Sequence, residues 1–208
     1  MGGDYYDFLE LPEGKLGVAI GDVSGKGIGA SLMMASLGAS LRGQAAVVEN
    51  LTQLIQRVNN LVYDASTSNR YATFFYAEYN PENRQLLFVN AGHNPPVIVR
   101  RSNPVYQVFR LDASGPPVGL LPKSSYEEAS FALQSGDLLV LFTDGISESM
   151  NSDDEEWGEE RLIELAKTCT GMPAVEGMNC IVTAAQSFAA GAPQHDDMTV
   201  VVVRVIAK

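Results

Sequence analysis

Leu51, Leu54, Ile55, Val58, Leu61 and Val62 fall at the 3, 4, 7 spacing of a single helix face, and beyond Ala72 that period disappears. The chain continues there as a series of short apolar and aromatic runs broken by turn residues. ATFFYAEY (residues 72–79) leads through NPENR into QLLFVN (85–90), which reads as a hairpin. Residues 97–100 and 106–111 are two further short strands. Residues 126–133 and 137–143 read as another pair, joined by Ser135 and Gly136. Before the first helix face, KLGVAI (15–20) is a strand, and residues 30–41 are dense enough in Ala, Leu and Met to predict a buried helix. Two helices come after the acidic loop 151–157, one over 159–167 and one carrying Val175, Met178, Ile181, Val182, Ala185 and Phe188 on one face. Residues 198–206 close the chain as a strand. Strands and helices do not alternate, so a doubly wound parallel sheet is disfavoured and an α+β fold of antiparallel sheets with helices is expected. Several strands are apolar on both pleats, which predicts sheets covered on both faces.

The chain can fill such a core. It has 208 residues, 46% of them hydrophobic and 19% charged, a composition that argues against disorder. With 14 basic and 25 acidic residues the formal net charge is −11. A phosphate backbone or an anionic membrane calls for clustered Lys and Arg. Here the basic residues are scattered apart from Arg100 and Arg101, so neither nucleic acid nor a membrane is expected as partner. No run approaches the roughly 20 apolar residues of a membrane span. Cys169 and Cys180 read as core thiols, and with two Cys and two His a Cys/His zinc site is excluded in practice. Any metal would be held by oxygen.

Oxygen ligands recur where strands end. Asp4 and Asp7 lie in GGDYYDF, Asp22 follows the first clear strand in GDVSGKG, Asp144 follows LLVLFT in FTDGISE, and Asp196 and Asp197 precede the last strand in HDDMTV. Strand ends are rigid and can converge. Carboxylates that meet there repel one another and are costly to desolvate unless a cation lies among them. Asp without His or Cys selects hard ions such as Mg²⁺ or Mn²⁺. Gly3, Gly21 and Gly145 stand beside these acids and permit tight turns. A single Asp-Gly at a strand end is also an ordinary turn.

Other motifs are weaker. GDVSGKG is one residue too short for a phosphate loop, and Gly27 stands where that loop needs Ser or Thr. Gly25, Gly27 and Ala30 match a dinucleotide fingerprint between a strand and a helix, the best rival enzyme reading. The run NSDDEEWGEE has Glu156 where a calcium loop needs Gly, and reads as a solvated loop leading into a helix. His195 adjoins the Asp pair and is a candidate site residue. His93 sits in the turn AGHNPP beside Asn94, a turn former with some claim to touch substrate.

Taken together and in order, GGDYYDF, GDVSGKG, AGHNPP, FTDGISE and HDDMTV resemble the SpoIIE/RsbU-like branch of the metal-dependent type 2C serine/threonine protein phosphatases over essentially the whole chain. The resemblance implies one phosphatase domain over residues 1–208, a four-layer α-β-β-α sandwich of two mainly antiparallel sheets flanked by helices. It implies two divalent ions, Mn²⁺ or Mg²⁺. Asp22 would bridge both, Asp4 and the Val23 carbonyl would complete one site, and Asp144 and Asp196 the other. Gly3, Asp7, Gly145, Glu148 and Asp197 would support them. Asp22 and Asp144 would act through water activated by the metals, attacking phosphorus in line. Ser24 stands where eukaryotic relatives place a His acid, and the phosphate-gripping Arg of their first motif has no counterpart. Lys26 is a weak clamp candidate, with Asn94 and His195 as further substrate contacts.

The same resemblance implies a bacterial, cytoplasmic enzyme that removes phosphate from Ser or Thr on a STAS-type anti-anti-sigma protein in partner switching. Family members normally carry a strand ahead of the GGD motif and an upstream sensory or receiver module, so the chain is expected to lack both. The alternatives are a phosphatase-like binding module without catalysis and, behind it, the dinucleotide enzyme.

Overall fold

The computed structural model describes residues 2–48, 50–66 and 70–206, so Met1 ahead of the GGD motif lies outside the described residues. The chain divides into two compact units: residues 1–94 with 112–132, and residues 95–111 with 133–208. Each is an antiparallel sheet with helices packed on it, which gives the α+β class expected from the order of strands and helices.

In the first unit β1 (Asp4–Glu10), β2 (Leu16–Val23), β3 (Ala72–Asn80), β4 (Gln85–Ala91) and a later strand run in spatial order, each antiparallel to its neighbour. Between β2 and β3 lie α1 (Ile28–Ala45) and α2 (Leu51–Ala65). Asn50 caps α2 by accepting a hydrogen bond from the Gln53 amide at 2.9 Å. The predicted apolar stripe of α2 is its buried face: Leu54, Ile55 and Val58 are fully buried, with Leu51 and Val62 nearly so, while Leu61 is exposed. They meet Ala30, Met33, Leu37 and Leu41 of α1 and the Ala72, Phe74 and Tyr76 pleat of β3. Each such burial contributes about 1.5–3 kcal/mol. The expectation of a wholly buried first helix is corrected: α1 buries one stripe and leaves Ile28 and Leu32 in solvent.

In the second unit the sheet order is β6 (Val105–Arg110), β5 (Val97–Ser102), β8 (Leu138–Phe142), β9 (Val200–Arg204), all antiparallel. The short α3 (Asp144–Ser147) follows β8, then α4 (Gly158–Cys169) and α5 (Ala174–Ala189). Val97, Val99, Leu138, Val140 and Phe142 pack with Leu162, Ala166, Ile181 and Ala185. Both pleats of β8 are buried, as are Phe74, Phe75 and Tyr76 of β3.

The sequence reading of residues 126–133 and 137–143 as one hairpin is corrected. β7 (Ala129–Ala132) pairs with β4 in the first sheet, whereas β8 pairs with β5 and β9 in the second. The physical reason is burial. Residues 129–132 are mostly exposed and suit an edge, while all five residues of β8 are buried and need a central position. Ser135 and Gly136 do form a turn, with Gly136 at φ 93°, but its amide goes to the Val205 carbonyl. The dinucleotide reading is corrected as well. Gly25 and Gly27 shape a turn at φ 84°, yet β2 lies between two antiparallel neighbours, β1 and β3, so the parallel βαβ unit that the fingerprint needs is absent from its place.

Two buried polar anchors hold connections in place. Asn59 of α2, fully buried, accepts from the Gly119 amide (2.9 Å) and the Tyr126 hydroxyl (3.1 Å) and donates to the Leu121 carbonyl (3.0 Å). That ties the segment after β6 to the first unit. In the second unit Arg100 makes a bidentate pair with Asp137, Nε to Oδ1 at 2.9 Å and Nη2 to Oδ2 at 2.7 Å. The Asp137 side chain is 1% exposed and also accepts from the Gln134 amide. Truncating one partner of a buried pair strands the other charge. Asp137→Ala should therefore cost about 3–5 kcal/mol in urea unfolding, while the double change Arg100→Met with Asp137→Leu should cost far less. Equal losses for the two variants would contradict this account.

Candidate metal and phosphate site

In the first unit the acids are placed by strand register. Asp4 opens β1 directly opposite Asp22 near the end of β2, and alternation puts both on the pleat facing away from α1 and α2. Like charges directly opposite one another are destabilising. Gly3 keeps the space beside them clear. A Cβ there would stand 3.1 Å from Asp22 Oδ1 and 2.7 Å from the Val23 carbonyl oxygen, so these two oxygens converge on one point that only glycine leaves open. The Val23 amide donates to the Gly3 carbonyl (3.2 Å) and the Ser24 amide to the Tyr71 carbonyl (2.9 Å), which holds the end of β2 on both sides.

Asp7 does not join that pair. It sits on the opposite pleat, where its carboxylate accepts from the Tyr5 hydroxyl at 2.8 Å and pairs with Arg42 of α1. Asn94 is half-buried and Lys26 exposed. The residue that closes the AGHNPP turn is Asn90. Its Oδ1 accepts from the His93 amide (2.8 Å) and its Nδ2 donates to the His93 carbonyl (3.1 Å). His93, 3% exposed, brings Nδ1 within 3.0 Å of Thr73 Oγ1, and that hydroxyl lies 3.4 Å from the Asp22 carbonyl. This chain from Asn90 to Asp22 escaped the sequence reading. Its only signal was an Asn three residues before a His in a turn.

In the second unit Asp144 is the first residue of α3, straight after the buried β8. The Thr143 amide donates to the Thr199 carbonyl (3.0 Å), and the Thr199 amide donates to Thr143 Oγ1 (3.1 Å). These bonds hold the strand end that carries Asp144 against the chain just past Asp196 and Asp197. Gly145 makes the approach possible: a Cβ there would fall 1.9 Å from the Asp197 carbonyl oxygen. Partial burial, then the negative charges of Asp144, Glu156 and Asp196, push the Glu148 carboxyl above its ordinary value. The Asp197 amide donates to Asp196 Oδ1 at 2.9 Å. Glu148, exposed His195 and Asp196 share the wall of a cavity of about 210 Å³ with Met150 and Met198.

The acid motifs therefore come together within each unit: Asp4 with Asp22 and the Val23 carbonyl in one, Asp144 with Asp196, Asp197 and Glu148 in the other. All the donors are hard oxygens, the chemistry of Mg²⁺ and Mn²⁺. Among the described residues no three His, Cys, Asp or Glu side chains stand as a ready-made metal cage. A cation in the first unit would need the Val23 carbonyl and water to complete its shell.

The chain resembles known proteins in sequence and in fold. The family model for stage II sporulation protein E (SpoIIE) matches residues 12–206, a span that includes Asp22, Asp144 and Asp196 and begins after Asp4. Phosphoserine phosphatase RsbU of Bacillus subtilis (strain 168) is 29% identical over 206 residues, 98% of this chain and 59% of that protein. Protein IcfG of Synechocystis is 26% identical over 230 residues, 98% of this chain and 36% of that one. The chain thus spans from about a third to three fifths of the length of these relatives. The SiaA-PP2C domain of Pseudomonas aeruginosa superposes with a TM-score of 0.85 at 19% identity, over 98% of this chain and 80% of that one. The PP2C phosphatase domain of SpoIIE from Bacillus subtilis does so at 0.80 and 23%, over 98% and 59%. At such identities the likeness is one of fold. By its family model, the chain belongs to the stage II sporulation protein E (SpoIIE) family.

Proposed function

We propose that the chain is the catalytic domain of a metal-dependent protein serine/threonine phosphatase. The reading is supported by family membership and by a relative named as a phosphoserine phosphatase. The observation that carries it is the convergence of Asp22 Oδ1 and the Val23 carbonyl at the space that Gly3 leaves open, with Asp4 opposite. In this proposal Asp22, Asp4 and the Val23 carbonyl would hold one divalent ion, and Asp144 and Asp196 would hold a second. Bound there, Mn²⁺ or Mg²⁺ supplies Lewis acidity toward water and phosphorus. The residues of the chain do the rest. The β2 end, fixed by Gly3 and Tyr71, sets the direction of Asp22. Gly145 and the Thr143–Thr199 bonds set Asp144 beside Asp196. Glu148 and Asp197 surround that second set, and Lys26, Asn94 and His195 are the candidate contacts to substrate.

The proposed substrate is phospho-Ser or phospho-Thr on a STAS-domain protein in the bacterial cytoplasm, with control by a sensory or receiver module upstream in the full-length protein. Among the described residues no helix is long and apolar enough to cross a membrane. A second reading, a binding module without catalysis, draws on the absence of a three-acid cage among the described residues. One assay separates the two: phosphate release from a phosphoserine peptide and from a phosphorylated STAS protein, in Mn²⁺ and in EDTA. The phosphatase reading requires release in Mn²⁺ that EDTA abolishes. Asp22→Asn and Asp144→Asn should each lower turnover by more than the roughly 10–100-fold typical of losing an outer-shell partner. Undiminished release in either variant, or none from the unmodified chain, would contradict the proposal.

Gly145→Ala tests the backbone contact separately. The added methyl must displace the Asp197 carbonyl, with an overpacking cost of about 1–3 kcal/mol. A displacement of that size should lower kcat/KM by about 10²-fold while the folded secondary structure persists. Unchanged kcat/KM would show that the 196–197 segment need not sit where the structure has it.

A further inference from the structure

Arg70 lies just ahead of β3, and its side chain is half-buried. Its Nη1 is buried, and among the described residues no hydrogen-bond partner reaches that atom. A guanidinium nitrogen out of water without an acceptor is costly, and an ion or water that completes it is the usual explanation. The neighbouring helix is shaped to admit this group. A Cβ on Gly29, in the first turn of α1, would stand 2.7 Å from Nη1 and 2.8 Å from Cζ, so the guanidinium occupies space that any side chain would fill. Around it is a groove of about 270 Å³ between α1 and α2, whose walls include Gly29, Ser36, Val62, Ala65 and Ser66. The backbone beside Arg70 is fixed. Tyr71 exchanges hydrogen bonds with Ser24, its carbonyl accepting from the Ser24 amide and its amide donating to Ser24 Oγ at 3.1 Å. Ser66 Oγ lies 3.5 Å from the Arg70 carbonyl. A planar fork of donors at the wall of a groove suits an oxyanion better than a point charge would.

We propose that this groove is a phosphate subsite, in which Arg70 grips a phosphate oxyanion and Gly29 provides the space for the grip. The oxyanion has two possible sources, free inorganic phosphate or the phosphoryl group of a phosphorylated protein. The subsite goes beyond the catalytic reading and does not rest on it, because its readout needs neither metal nor turnover.

The test is calorimetric titration of inorganic phosphate into the chain in EDTA, with a parallel titration of a phosphoserine peptide. Circular dichroism and thermal melting report the fold. Arg70→Ala should weaken phosphate binding at least about tenfold, the loss expected for a charge-assisted hydrogen bond. Arg70→Lys should recover only part of it. Gly29→Ala should also weaken binding without lowering the melting temperature, since Ala is the better helix former. A parallel loss for the peptide identifies an esterified phosphate as an occupant, and a loss confined to inorganic phosphate identifies the free ion. If the unmodified chain shows no saturable binding of either ligand, or if Arg70→Ala and Gly29→Ala bind both as tightly as it does, the subsite does not exist. An absence of phosphatase turnover would overturn the catalytic reading and leave these titrations interpretable.

Discussion

The placement of carboxylates at hydrogen-bonded strand ends, beside glycines that leave room for them, is the constraint on which the candidate site depends. Asp4 and Asp22 face each other in register across β1 and β2. Partial burial, and after it the negative charges of Asp144, Glu156 and Asp196, push the Glu148 carboxyl upward. Both sets sit on hydrogen-bonded backbone. One is held by an antiparallel ladder and the Gly3 and Tyr71 contacts, the other by a fully buried strand and the Thr143–Thr199 exchange. Acids held together on rigid supports lower the stability of a fold unless something positive joins them. Glycine at positions 3 and 145 removes the side chains that would otherwise keep those oxygens apart.

Much of this was legible in the sequence because it is local. The α2 stripe repeats at helical spacing, and the antiparallel class follows from strands that come in hairpins without regular helical crossovers. The acids announced themselves as Asp beside Gly at the ends of apolar runs. What was not legible depends on partners distant in the chain. β7 and β8 are neighbours in sequence and look like a hairpin, yet their burial sends them to different sheets. Asp7 sits three residues from Asp4 in the same motif, but an odd spacing in a strand reverses the face, and it is spent on Tyr5 and Arg42. The α1 segment reads as buried throughout because composition does not say which stripe of a helix meets a sheet.

The polar residues that organise the loops were the least legible. Asn59 reads as an ordinary polar position in a helix, and its role appears only when Gly119, Leu121 and Tyr126, some sixty residues on, are brought to it. Asn90, His93 and Thr73 likewise form a line to the Asp22 carbonyl that no single motif contains. In both cases one buried amide side chain satisfies several backbone groups at once, and in that way a loop with little apolar surface acquires a defined path.

The central claim is that the Asp22 and Asp144 clusters hold divalent cations. The most direct measurement is anomalous diffraction from crystals of this chain grown with Mn²⁺. The account predicts manganese peaks within ligand distance of Asp22 Oδ1, of the Val23 carbonyl and of the Asp144 and Asp196 carboxylates. Well-ordered density for these side chains with no manganese beside either cluster at saturating Mn²⁺ would contradict it.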